Sequence, residues 1–165
     1  MRRLSHRAGF SFLEVMAAAG MVAIFLVGAF TANSRGLYMI RCAKETAGAS
    51  KILQQRMEQL RAASWIDVTE ADSVSELFAS APDARESCNQ NSEQVTIAPW
   101  PTVGTPVVTK ITRSTTGTTT VMTENADLVD QSAVLVTVGV TWKGAGDRTR
   151  TRETCTVIAN GGLGR

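Results

Sequence analysis

Gly9-Phe10-Ser11-Phe12-Leu13-Glu14, followed by the uncharged run Val15–Ser34 (VMAAAGMVAIFLVGAFTANS), decides how this 165-residue chain is organised. At about 1.5 Å of helical rise per residue, the twenty residues of that run cover about 30 Å, the thickness of a bilayer's hydrocarbon core. The stub before it, Met1–Gly9, carries Arg2, Arg3, Arg7 and the single histidine, His6. Arginines on this flank hold the stub in the cytoplasm and send the rest of the chain outward. Glu14 is the anomaly, because a carboxylate at the edge of hydrocarbon costs a few kcal/mol and persists only with a cationic partner. A cut between Gly9 and Phe10 would create that partner: the new α-ammonium of Phe10 lies one helical turn from Glu14.

Glycine, aromatic, glutamate and apolar helix in this register resemble the prepilin signal of type IV pilins and type II secretion pseudopilins. The resemblance implies cleavage after Gly9 by a membrane-embedded prepilin peptidase and N-methylation of Phe10. It also implies a salt bridge from Glu14 to the N-terminus of an adjacent subunit during assembly. The expected organisation is then a cleaved leader over 1–9, a transmembrane and assembly segment over 10–34, and an extracytoplasmic pilin-like domain over 35–165. An ordinary secretory signal with a small-residue site in Ala29–Ala32, or an uncleaved anchor with a snorkelling Glu14, accounts for less, since neither calls for glutamate at the start of the core. Loss of the stub takes Arg2, Arg3 and Arg7 away, so Lys plus Arg falls from 17 to 14 against 15 Asp plus Glu, a formal charge of −1. The precursor's basicity therefore carries no message about nucleic acid.

Small or apolar residues recur every three or four positions after the span, at Ala43, Ala47, Ser50, Leu53, Met57, Leu60 and Ser64. Lys44, Lys51, Gln55, Arg56, Glu58 and Arg61 fall mostly between them, which predicts an amphipathic helix continuing to Trp65 against a globular core. No proline interrupts Phe10–Trp65. Many major pilins carry a proline about two thirds along the span, where this chain has Thr31 and nearby Gly28; the departure favours a minor pilin. Beyond it, Ser73-Val74-Ser75-Glu76 has capping-box spacing for a short helix through Ala79, ended by Pro82. Asn89-Gln90-Asn91-Ser92 and Pro99-Trp100-Pro101 are turn chemistry around a short strand at Gln94–Ala98.

From Val107 onward, threonine and valine dominate, as strands prefer. Val107–Thr112 and Thr118–Thr123 flank Ser114–Gly117 as a hairpin, and Val134, Val136, Val138, Val140 and Trp142 alternate with polar or small residues. A turn at Lys143–Asp147 leads to a last strand, Arg148–Ala159. The fold expected is α+β: a long N-terminal helix, half transmembrane and half amphipathic, packed on a small antiparallel β-sheet of four or five strands, the pilin-like lollipop. The segment Gln54–Arg61 with Trp65, and the ending Val138–Trp142, turn, strand and glycine-rich tail, resemble the minor pilin V kind and the related pseudopilin I.

Enzyme chemistry finds little purchase. A mature chain begun at Phe10 contains no histidine, which removes Ser–His and Cys–His nucleophiles and histidine-based metal sites. Cys42, Cys88 and Cys155 are too far apart in sequence for a C-x-x-C motif, and no phosphate loop occurs. No cofactor and no metal are expected; Asp67, Glu70 and Asp72 read as a solvated acidic loop rather than a cation site. Exported thiols tend to oxidise, so Cys88 and Cys155, both in the head, are the expected disulfide. Arg148, Arg150 and Arg152 share one face of a strand. They read as charges that protect a sheet edge, in preference to a stripe for DNA.

The expected function is that of a minor pilin or pseudopilin, single-pass in the bacterial inner membrane with a periplasmic head, which helps initiate or cap a type IV pilus. The alternatives are a type II secretion pseudopilus subunit, or a fibre-displayed module for DNA binding or adhesion. Expected partners are the prepilin peptidase, the inner membrane, and other minor pilins or pseudopilins and the major pilin, met through the N-terminal helix.

Overall fold

The computed structural model describes residues 11–82, 88 and 91–161. It divides into two compact units at Ile40/Arg41. One continuous helix, α1 (Phe12–Ala62), contributes to both.

In the first unit every side chain from Ser11 to Arg35 is exposed, including large apolar ones such as Phe12, Ile24, Phe25 and Phe30. This stretch is long and apolar enough to cross a membrane. The Thr31 hydroxyl donates to the carbonyl of Val27 at 2.8 Å, which satisfies within the helix a polar group that hydrocarbon would otherwise leave without a partner.

The second unit, the head, is an α+β structure in which the C-terminal part of α1 packs on a five-stranded antiparallel sheet. The strands are β1 (Ser92–Pro99), β2 (Thr109–Arg113), β3 (Thr119–Thr123), β4 (Ala133–Lys143) and β5 (Thr149–Ala159), in the order β3-β2-β1-β4-β5. Val134, Val136, Val138, Val140 and Trp142 all point inward along β4. The period-2 pattern of that stretch thus becomes one buried face. Val95 and Ile97 of β1 and Ile111 of β2 continue this face. Ala49, Ile52, Leu53, Met57 and Leu60 of α1 close over it. Each large side chain buried here contributes about 1.5–3 kcal/mol. The hairpin of β2 and β3 turns at Gly117, whose φ of +98° suits glycine. A Cβ there would also sit 3.2 Å from the Arg113 guanidinium.

Three local expectations are corrected. The inward stripe of α1 includes Gly48, Ala49, Ile52 and Arg56, while Ala43 and Ala47 are exposed. The stripe is rotated because Arg56 is an interior residue, with Ile52 and Leu60 one turn to either side. Next, α1 stops at Ala62 rather than Trp65, because Ser64 caps a separate helix, α2 (Trp65–Thr69): its hydroxyl accepts from the Asp67 N–H, and the Asp67 carboxylate accepts from the Ser64 N–H. The capping box therefore lies at Ser64/Asp67 and not at Ser73/Glu76. Finally, α3 (Ala71–Ala79) begins two residues earlier than Ser73, after Glu70, whose side chain makes no cap bond; Ser73 donates to Glu70 instead. The helix still ends where Pro82 approaches.

Candidate functional site

The N-terminal site is built from the start of α1. The backbone N–H groups of Glu14 and Val15 both reach the carbonyl of Ser11, at 2.9 and 3.2 Å, so Glu14 stands in the first helical turn. A carboxylate there is favoured by the unpaired N–H groups and the positive end of the helix dipole. Glu14 is exposed, as are Val15 and Met16 behind it. Gly9 and Phe10, the expected cleavage and methylation residues, lie outside the described residues, as does His6.

A second polar centre lies inside the head. Glu93 is 1% exposed and accepts from two guanidinium groups, Arg56 through Nε at 2.5 Å and Arg113 through Nη1 at 3.2 Å. Arg56 is 0% exposed. It donates further to Gln59 Oε1 (2.9 Å), Leu77 O (3.1 Å) and Ser80 O (2.6 Å), and its guanidinium carbon lies 4.7 Å from the centre of the Phe78 ring. One side chain thus fastens α1 to β1 and satisfies carbonyls left open at the end of α3. Sequence periodicity alone places Arg56 on the solvent side, whereas it is fully buried. The signal that identifies the pair is phase: Glu93 shares strand parity with Val95 and Ile97, and Arg56 lies four residues from both Ile52 and Leu60. The arrangement is a structural fastening, with the side chains of Arg56 and Glu93 both fully buried.

Two of the three stripe arginines bond to α1. Arg150 Nη2 donates to Cys42 Sγ at 3.4 Å and Arg152 Nη1 to Ser50 Oγ at 2.6 Å, so both turn toward α1. Arg148, in the turn before β5, and Arg152 are both exposed, while Arg150 is half-buried. Asp67 is engaged in its capping box and Glu70 with Ser73; among the described residues no group of three or more His, Cys, Asp or Glu is placed to hold a metal ion.

The expected Cys88–Cys155 disulfide is not formed; Cys42, Cys88 and Cys155 are all free thiols. The reason is strand parity. Cys155 pairs with Thr137, on the sheet face opposite Val136 and Val138, and is exposed. Cys88 is buried beneath α1, with Sγ 3.5 Å from the carbonyl of Glu45. Burial, reinforced by the Glu45 carboxylate and opposed by a backbone hydrogen bond at Ala49, pushes the Cys88 thiol up to about 11. Because the folded pKa is raised, this contribution to stability is complete below the usual thiol value of 9.0 and is lost as pH rises toward about 11. In folded protein at pH 8, Cys155 will therefore be alkylated by iodoacetamide about a hundredfold faster than Cys88, read by peptide mass mapping. Equal labelling of the two would contradict the placement of Cys88.

No protein-family model, no curated protein and no solved structure matches this chain.

Proposed function

We propose that this chain is a minor pilin or pseudopilin, a structural subunit that is held in the bacterial inner membrane by a single span. The prepilin peptidase cuts it after Gly9 and the new N-terminus at Phe10 is methylated. The chain then joins a type IV pilus or pseudopilus with its head on the extracytoplasmic side, at the start or tip of the fibre. One observation carries the reading: Glu14 occupies the first turn of a helix whose following side chains, through Phe30, are apolar and exposed. An exposed apolar surface of that length needs lipid or other apolar helices around it. The same surface serves both states, so a subunit can pass from bilayer to fibre with its span still covered. Glu14 supplies register, because a carboxylate in an apolar bundle is stable only opposite a cation, and Phe10's α-ammonium is the cation cleavage creates.

A side chain at position 9 would obstruct the peptidase's approach to the backbone, so Gly9→Val should block cleavage. Expressed in cells with an active prepilin peptidase, this variant should accumulate as full-length precursor in the membrane fraction. Normal processing of Gly9→Val would count against the assignment.

A further inference from the structure

The head is polarised. At one end Cys42 meets Arg150, and Glu45 accepts from the Ala145 N–H; this is the end where the chain enters, and it exposes Arg41, Lys44, Lys143 and Arg148. Toward the other end Arg61 meets Thr156 and Trp65 bonds to the carbonyl of Val129. Here Asp67, Glu70, Asp72 and Glu76 follow one another along α2 and α3 without an intervening basic residue.

A groove of about 580 Å³ opens on this acidic side, between the end of α1 and the two short helices. Ala62, Ala63 and Leu77 form apolar walls, Asp67 and Glu76 supply carboxylates, and among the described residues none lining it is basic. Apolar walls with acids beside them suit a long cationic side chain, whose alkyl stem packs while its head keeps a charge partner. The chain itself presents such a group in a rigid setting. The β4–β5 turn is closed by Gly144 N–H to Arg148 O (2.9 Å) and Asp147 N–H to Gly144 O (3.0 Å), and it displays Lys143 and Arg148. The Lys143–Asp147 pair, at 3.1 Å, is solvent-exposed and readily exchanged.

We propose that heads of this chain stack end to end, the β4–β5 turn of one copy seating Lys143 and Arg148 in the α1–α2–α3 groove of the next. The two surfaces differ, so the contact is heterologous, one copy giving its turn and the other its groove. It also leaves every copy pointing the same way, as chains drawn from one membrane must. Antiparallel pairing of two β5 edges would reverse one copy. The inference rests on the assembly reading above and names the head surface that assembly uses.

The test treats full-length protein, solubilised from membranes and mixed from unlabelled and ¹⁵N-labelled preparations, with a carbodiimide that joins lysine to carboxylate. Mixed-isotope peptides linking Lys143 to Asp67 or Glu76 are expected, and they should vanish in high salt. Glu76→Arg and Arg148→Glu should each lower their yield about tenfold or more, since like charges then face each other, and the double variant should recover it. Absence of these links in the native protein, links that persist in both single variants, or a double variant no better than either single would overturn the proposal. So would a turn that binds phosphatidylglycerol vesicles through Arg148 while the links stay unchanged by Arg148→Glu. Processing at Gly9 and co-assembly dependent on Glu14, scored in the same cells, separate failure of head stacking from failure of the pilin reading.

Discussion

Arg56→Ala will unfold the head or leave it barely folded. The substitution strands the Glu93 carboxylate, 0% exposed at its side chain, with Arg113 as its remaining cation. It also removes donors from Gln59, Leu77 O and Ser80 O, and opens a void against Phe78. Breaking a buried pair from one side costs about 3–5 kcal/mol, a large share of the roughly 5–15 kcal/mol that holds a domain together. Urea denaturation followed by circular dichroism should show the midpoint collapse. Glu58→Ala, at the exposed Glu58–Arg61 pair, should change stability by no more than about 0.5 kcal/mol. A near-native midpoint for Arg56→Ala would mean that the Arg56–Glu93 contact is not the fastening described.

Glu14→Val is expected to give the largest functional loss. The bond to be cut lies outside α1, so processing should proceed, and valine eases insertion by removing a charge from the membrane edge. On the proposed reading, what disappears is the partner for the α-ammonium of Phe10 in a neighbouring subunit. Truncating one side of a desolvated charge pair costs about 2 kcal/mol or more, which is a loss of about thirtyfold in association. Glu14→Gln should behave alike, since the amide carries no charge. Cross-linking of the processed subunit to its fibre neighbours should fall accordingly in both variants while the membrane-held form persists. Wild-type incorporation of processed Glu14→Val would make the carboxylate incidental.

Elements whose pattern answers to one local cause were legible in the residues alone. The even-numbered valines of β4 read directly as a half-buried strand, the threonine-rich segments around Ser114–Gly117 as a hairpin, and the uncharged run after Glu14 as a long helix. What escaped depended on contacts between distant segments. Arg56 is charged and reads as solvent-facing until Glu93, on a strand 37 positions later, is known to meet it, and this one pairing rotates the buried stripe of α1. Spacing alone cannot tell Ser73-Val74-Ser75-Glu76 from Ser64-Trp65-Ile66-Asp67 as a capping box; the helix break at Ala62 decides for the second. The cysteine pairing failed on strand parity, which becomes visible only when Cys155 is set opposite Thr137 in the register of β4 and β5. Arg150 and Arg152 share a face as their spacing requires, and there they bond to Cys42 and Ser50 of α1, which spacing alone does not reveal.

The N-terminus of the mature protein tests the central claim most directly. Protein recovered from the membranes of cells with an active prepilin peptidase should yield, by mass spectrometry, an N-terminal peptide that begins at N-methylated Phe10 and continues Ser11-Phe12-Leu13-Glu14. An intact Met1 N-terminus, or a cut within Ala29–Ala32, would contradict the account.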